Sequence, residues 1–573
     1  MRPSGSGPGP GPAPRATPGP FASAAPAALD EPPARRSIWR TAAQIVLWSA
    51  IAAPGLYQIG LMIQAIAGRV GYPYDLEWME GGMLHHALRI RLGLGIYIPP
   101  SADFIPYLYT PLYPTLLALF GGPTGPSYLL GRAVSIAGLV GIAGTALASL
   151  LGVARRPRGP ALAGAALALG LFSACYPFVE GWYDLVRADT LFLFMVTAGI
   201  AGLPYWARSD GGIVGHGKVA AGAALMALAF FCKQTGVLYV AFGGVIVVLA
   251  NWRRAPTYIA MAGALGLGGS WALSRATRGW FWTYVSEIHR AHDFNMPRFH
   301  ASFRYILWHF PEASAAIAAA LVLVAITAWR RGVPRAARPF LLWTSAYAVS
   351  TVVGAVGWAT EFAHFNAYMP ALLHGALAAG AAVPAAYACA RALWGPRRGA
   401  GAIATACAAA AAIPLAVSCA LARWEPRNFT PTDADVAAGD RLIRRIRALD
   451  GDVWIPSHPW YAALAGKTPH VHRMGIKDVT TRQPRAVEDI VEGLGDALRR
   501  HRFAAIVLDN RDAFLEVPAL GQYYHRGRAL PDDEKPRLYT GAGNVLSGNL
   551  LLPDAIWVPS PPAEGGPAPP AAR

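Results

Sequence analysis

The chain has 573 residues, of which 54% are hydrophobic and 14% charged, with 61 Gly and 48 Pro. An average soluble domain is roughly a quarter charged, so this composition and a mean hydropathy of +0.32 exclude one large soluble core and indicate a polytopic membrane protein. The net charge of +17 would suit nucleic acid on a soluble protein. Here much of the basic excess lies in short loops between apolar runs and no basic patch is interleaved with aromatics, so nucleic acid is not an expected partner.

Residues 1–36 are rich in Pro, Gly and Ala with little apolar periodicity, so a disordered N-terminal tail is expected and no signal peptide is read there. Apolar segments follow near 38–67, 127–152, 160–176, 189–206, 217–232, 235–250, 256–274, 311–329, 339–358, 366–393 and 400–421. Their lengths fit a bilayer core of about 30 Å, which predicts an all-α polytopic bundle of about eleven transmembrane helices over 37–421. The 217–250 stretch divides least clearly. Basic residues mark every second loop: Arg35, Arg36 and Arg40; Arg155, Arg156 and Arg158; Arg208 and Lys218; Arg253 and Arg254; Arg330, Arg331, Arg335 and Arg338; Arg391, Arg397 and Arg398. That alternation predicts a cytoplasmic N-terminus, with the loops 71–114, 177–188 and 275–310 and everything after 421 on the outer face. Cys175, Cys232, Cys389, Cys407 and Cys419 lie in or beside apolar segments and never as Cys-x-x-Cys, which reads as buried thiols rather than a disulfide or metal framework.

The tail is a different material. "DVWIPS" (452–457) and "FAAIVLD" (503–509) read as buried strands, and "RAVEDIVEGLGDALRRHR" (485–502) as an amphipathic helix between them. A C-terminal extramembrane α/β domain over 422–558 is expected, with a disordered end at 559–573.

The first outer loop, 71–114, holds "YPYDLEWMEGGMLHH", with Asp75, Glu77 and Glu80 within six residues of one another at the lip of the bilayer. Acidic groups there lose hydration without hydrophobic gain, so a bland loop would avoid them. Asp75 is expected to cap a helix carrying Glu77 and Glu80 on one face. Met83, Leu84, Ala87 and Leu88 would lay that helix along the membrane surface.

Here the chain resembles the GT-C superfamily of membrane glycosyltransferases, in particular bacterial protein mannosyltransferases and lipid A aminoarabinose transferases. The resemblance is carried by Glu80…Gly95-Ile96-Tyr97 and Tyr109-Thr110-Pro111-Leu112-Tyr113-Pro114, then by "GRAVS" (131–135), "WYDLVRADTLFLF" (182–194), "FCKQTG" (231–236) and "FWTYVSEIHRAH" (281–292). It covers most of residues 70–300. It implies transfer of a hexosyl or pentosyl group, with inversion, from a polyprenyl-phosphate donor to a lipid, glycan or protein acceptor outside a bacterial inner membrane. It also implies an acidic catalytic residue in this loop. Members usually carry Asp there, often as Asp-Glu, so residue type favours Asp75 while the spacing back from Gly95 and Tyr97 favours Glu80. The three carboxylates stand as alternative general bases.

Lys233, at the outer end of an apolar run, is a candidate for the donor phosphate, or a lysine snorkelling at a helix end. Arg187 and Asp189 in "DLVRAD", Asp184, Arg132 at the mouth of the second span, His364 in "EFAHFNAYMP", and Tyr109 and Tyr113 complete the candidate substrate-binding set, Glu180 being weaker. His289 and His292 have His-x-x-His spacing but no third ligand, so no metal site is read. The resemblance leaves room for a divalent cation, magnesium or manganese, on outer-loop carboxylates. Asp509 follows a strand, where α/β sheets often bind ligands, and "SHPWY" (457–461) has the aromatic character of a sugar-binding surface. The rival reading is a transporter or lipid-linked-sugar flippase. That class places ionisable groups near the bilayer midplane in two matching halves, whereas these acids cluster in outer loops and no half-to-half repeat is evident.

Overall fold

The computed structural model describes residues 38–152, 158–209, 212–395, 397, 399–483, 486–510, 517–541, 543–547 and 550–561. The expected tail 1–36, nearly all of the tail 559–573, and Arg155, Arg156 and Arg398 lie outside them. Among the described residues, Ile38–Val46 belong to one unit and are helical. Leu47–Arg573 form the second, which contains everything below apart from the start of the helix Ile38–Arg69.

Among the described residues, nine stretches are long and apolar enough to cross a membrane: Ile38–Arg69, Tyr128–Leu151, Asp189–Arg208, Gly212–Cys232, Gly236–Ala276, Pro311–Arg331, Arg335–Ala359, Phe365–Trp394 and Ala400–Leu421. The 41-residue Gly236–Ala276 breaks at Trp252–Arg254, after Gly236–Asn251, and Arg158–Ala174 is a shorter apolar helix. Counting both gives the eleven apolar helices that the hydropathy pattern predicts. Helix Met369–Trp394 runs through the middle, buried on nearly every side and built largely of Ala and Gly. Lipid offers no hydrophobic drive between helices, so small residues that let backbones approach take over that role. A Cβ on Gly164 would overlap the Gly380 carbonyl, and one on Gly380 the Gly164 carbonyl. The cysteines are free and all but Cys407 are buried.

After Leu421 comes helix Asp433–Arg447, opened by a capping box between Thr432 and Asp435. Four strands then form one sheet: β1 (Asp452–Trp454), β2 (Phe503–Asp509), β3 (Tyr524–Ala529) and β4 (Pro553–Pro559), in the order β1-β2-β4-β3. β1 and β2 pair in parallel, and β4 is antiparallel to both β2 and β3. β1 is shorter than the six residues expected, because Pro456 has no N–H for the ladder and the chain turns, the His458 N–H donating to the Ile455 carbonyl at 3.1 Å. The single helix expected over 485–502 is two, Val487–Ile490 and Leu494–Arg499, parted at Gly493 with φ +73°.

Two further expectations are corrected. The first-loop helix spans Glu80–Arg91 and starts after Met79, so Asp75 and Glu77 precede it. Every residue from Glu80 to Ala87 is buried, because Trp460 and neighbouring parts of the C-terminal region close over it. The stretch 275–310 is not simply a loop. Phe281 and Tyr284 are buried, Phe281 edge-on to Tyr97 at 5.2 Å and Tyr284 donating to the Ile98 carbonyl at 3.0 Å, and a helix follows at Met296–Leu307.

Candidate active site

Five carboxylates and five cations meet where the first loop, the Gly181–Asp189 segment and the C-terminal domain come together. Arg69 pairs with Asp184 at 2.6 Å, Arg132 with Glu80 at 2.8 Å, Arg187 with Glu77 at 3.4 Å, Lys233 with Asp189 at 2.6 Å and His458 with Asp75 at 2.7 Å. The side chains of Arg69 and Arg132 are fully buried, whereas Lys233 is 19% exposed. The network is therefore sealed at the Arg69–Arg132 end and opens at Lys233.

The three first-loop acids have different surroundings. Glu80 is saturated: Arg132 reaches both its oxygens, at 3.2 and 2.8 Å, the Val186 N–H donates to Oε1 at 2.8 Å and the Leu76 N–H to Oε2 at 2.7 Å. Arg132 in turn donates to the Tyr74 carbonyl at 2.7 Å and to that of Tyr72, so this pair folds the loop onto the second span. Asp75 accepts from the Gly81 N–H at 2.9 Å, which serves the helix start, and from the Tyr128 hydroxyl at 2.8 Å, with His458 Nδ1 on its other oxygen. Burial raises the Asp75 carboxyl against the pull of His458. Burial opposes a charge on His458 as well, yet Asp509 and Asp75 on either side raise it to about 10.

Glu77 is the least committed. It accepts from the Met79 N–H at 3.2 Å and meets Arg187 only at 3.4 Å, the longest of the five ion pairs. Burial pushes it up to about 8; Arg187 opposes the rise and Glu80 and Asp75 add to it. Arg187 also donates to the Tyr109 hydroxyl at 2.8 Å and lies over the rings of Tyr109 and Trp182, at 5.3 and 5.2 Å. Trp182 Nε1 donates to Asp189 at 3.1 Å, and Asp189 also holds Lys233 and, at 3.0 Å, the Asn366 amide. His364 stacks on Trp182 at 5.6 Å and faces Glu180 at 3.2 Å. Burial lowers His364 to about 4 and raises Glu180 to about 7, and Glu180 sits in the left-handed backbone region, φ +53°.

The fold thus brings Glu77, Tyr109, Arg187, Asp189, Lys233 and His364 into one chain of contacts. The Gly95–Tyr97 element supports it, the Tyr97 hydroxyl donating to the Tyr109 carbonyl at 2.8 Å. Asp184 stands apart, held by Arg69 and by the Tyr176 hydroxyl at 3.0 Å, and Tyr113 donates to the Gly131 carbonyl at 2.8 Å. Trp182, Asn366 and His458 belong to the network without having been singled out. All three lie within stretches already quoted, "WYDLVRADTLFLF", "EFAHFNAYMP" and "SHPWY", but His458 sits 383 residues from its partner Asp75.

A divalent cation does not fit these residues. Each first-loop carboxylate is turned to a different cation, and among the described residues no group of three or more His, Cys, Asp or Glu side chains could hold a metal.

No family model matches the chain, and no curated protein matches it. Solved structures do. The crystal structure of ArnT from Cupriavidus metallidurans in the apo state superposes with a TM-score of 0.53 at 13% identity, over 92% of this chain and 100% of that one. The same protein bound to undecaprenyl phosphate gives 0.51 at 14% identity, over 92% and 99%. The likeness takes in bundle and C-terminal domain together, and the chain shares the fold of that structure: a multi-pass helical membrane bundle carrying an extramembrane domain.

Proposed function

We propose that this chain is an integral-membrane glycosyltransferase, taking a sugar from a polyprenyl-phosphate carrier at the outer face of the membrane, with Glu77 as general base. The observation that carries the reading is the unequal commitment of the three loop acids. Glu80 and Asp75 are spent on holding the backbone, while Glu77 has one long ion pair and stands beside the Arg187–Trp182–Asp189–Lys233 chain. A fold neighbour crystallised with undecaprenyl phosphate supports the donor class.

In this reading the acceptor hydroxyl attacks the anomeric carbon, Glu77 takes its proton, and the bond from that carbon to the phosphate oxygen breaks. The departing phosphate keeps that electron pair. Arg187, and Lys233 at the open end of the network, stabilise the charge in a site of low dielectric, where such contacts are strongest. Attack from the face opposite the phosphate gives inversion. The carrier's tail stays in the bilayer, because every one of these groups lies at or near the end of a span. Basic loops between spans support a cytoplasmic N-terminus and an outer C-terminal domain.

Purified protein in nanodiscs, given labelled polyprenyl-phosphate sugars, is expected to release polyprenyl phosphate and pass on or hydrolyse the sugar. Movement of the intact lipid between leaflets, without bond cleavage, would instead establish a flippase. Lys233→Met is expected to raise the donor KM by about 10- to 100-fold, the worth of one charge-assisted hydrogen bond. Lys233→Arg should keep part of that affinity. An unchanged KM in Lys233→Met removes the lysine from the phosphate site.

A further inference from the structure

His458 and Asp509 lie in the C-terminal domain and have no part in the chemistry just described, yet they connect directly to the loop that performs it. The His458 imidazole is 1% exposed. Its Nδ1 is 2.7 Å from Asp75, its Nε2 is 3.2 Å from Asp509, and its ring stacks on Tyr461 at 4.8 Å, nearly parallel. A neutral imidazole donates from one nitrogen only, whereas an imidazolium donates from both, so a ring with a carboxylate at each end is held best as the cation.

Asp75 is two residues from Glu77. The carbonyl of Leu76, between them, accepts from the N–H groups of Tyr539 and Thr540, each at 2.9 Å. Thr540 also accepts from Arg69 at 3.1 Å. Gly541 follows with φ +76°, and a Cβ placed on it would stand 3.1 Å from Glu77 Cγ and 3.5 Å from the Trp182 ring. Two separate segments of the C-terminal domain therefore grip one three-residue turn. One holds the Asp75 side chain and the other the Leu76 carbonyl, and the second forms the wall beside Glu77.

We propose that His458 is a positioning residue: an imidazolium strut which, with the strap Tyr539–Gly541, lets the C-terminal domain fix the turn Asp75–Leu76–Glu77. The domain is then an obligate half of the catalytic unit and not a cover over it. The inference rests on the reading of Glu77 as base. Neither His458 nor the strap touches the reacting atoms; both act by where they hold Glu77.

The test uses the full chain in nanodiscs with a labelled polyprenyl-phosphate sugar. Turnover, donor KM and melting temperature are measured for His458→Gln, Asp75→Asn, the double variant and Gly541→Ala. A misplacement of about 1 Å costs on the order of 100-fold in rate, so His458→Gln and Asp75→Asn should each lower kcat by roughly 30- to 100-fold. The donor KM should stay within about threefold, since the phosphate cations are untouched. Two residues acting through one contact do not multiply, so the double variant should lose no more than the worse single one. Gly541→Ala, which leaves the strut in place, should lower kcat by crowding Glu77, and it serves if the His458 variant fails to fold. The proposal is overturned if a folded His458→Gln or Gly541→Ala protein keeps kcat within about twofold, if the loss appears in KM instead, or if the two single losses multiply. Glu77→Gln run in parallel separates the two levels. Should it retain turnover, the base assignment fails; should it be inactive while His458→Gln turns over normally, only the strut fails.

Discussion

Glu77→Gln is expected to lower turnover by about two to four orders of magnitude, the usual worth of a positioned general base, with little change in donor KM. The amide keeps the size of the side chain but cannot take a proton. The pH profile gives an independent check. Burial, reinforced by Glu80 and Asp75, holds the Glu77 carboxyl near 8 against the opposing pull of Arg187, and only the ionised form is a base. Wild-type kcat/KM should therefore fall tenfold per pH unit below about 8 and level off above it, while any residual rate of Glu77→Gln should lack that limb. Stability should move the other way. The folded carboxyl holds its proton up to about 8 and the unfolded one only to 4.5. Across that window the folded state binds more protons, so raising the pH costs stability, and the loss is complete above the folded value. Glu77→Gln escapes this, so its melting temperature should gain on wild type as the pH rises from 5 to 9. A wild-type-like rate in Glu77→Gln, or a flat wild-type profile between pH 6 and 8, removes Glu77 from the chemistry.

The spans were legible in the sequence because each is a local property: about 20 apolar residues and flanking charge suffice to recognise one. The boundaries of the 217–250 stretch become clear at Lys233–Thr235, where the Gly212–Cys232 helix stops and Gly236 opens the next. The acids of the first loop were legible as unusual, since charge at a bilayer lip needs a reason. Their division of labour was not. Glu80 finds Arg132 52 residues away and Arg69 finds Asp184 115 away, and no local pattern says which of five cations will meet which of five acids. The same holds for "SHPWY". Its aromatics were visible as a possible sugar surface, but Tyr461 proves to be the plate on which His458 lies, and Trp460 is buried near Gly81. That the helix over 80–91 would be covered was not legible, because its covering, the C-terminal domain, arrives more than 350 residues later in the chain.

Removing one partner of the Arg132–Glu80 pair should be the most damaging change to folding. Both side chains are fully buried, so Arg132→Met leaves a carboxylate with no counter-charge and Glu80→Ala leaves a guanidinium with none. Stranding one member of a buried pair costs about 3–5 kcal/mol, against a total stability of about 5–15 kcal/mol. The loss spreads to the backbone. Arg132 also satisfies the Tyr72 and Tyr74 carbonyls, and Glu80 the Leu76 and Val186 N–H groups. Lysine at position 132 should not rescue, since one ammonium cannot reproduce the two-pronged contact with Glu80 while reaching both carbonyls. Arg132→Met and Glu80→Ala should thus elute as aggregated or poorly folded protein in detergent, with melting lost or markedly lowered. Glu80→Gln is the decisive variant, because it keeps the size of the side chain while removing the charge and turning one acceptor oxygen into an NH2 that faces donors. It should melt below wild type, yet per folded molecule its turnover should fall far less than that of Glu77→Gln. The reverse order, with Glu80→Gln folded but inactive and Glu77→Gln active, would transfer the base to Glu80 and make Glu77 the supporting acid.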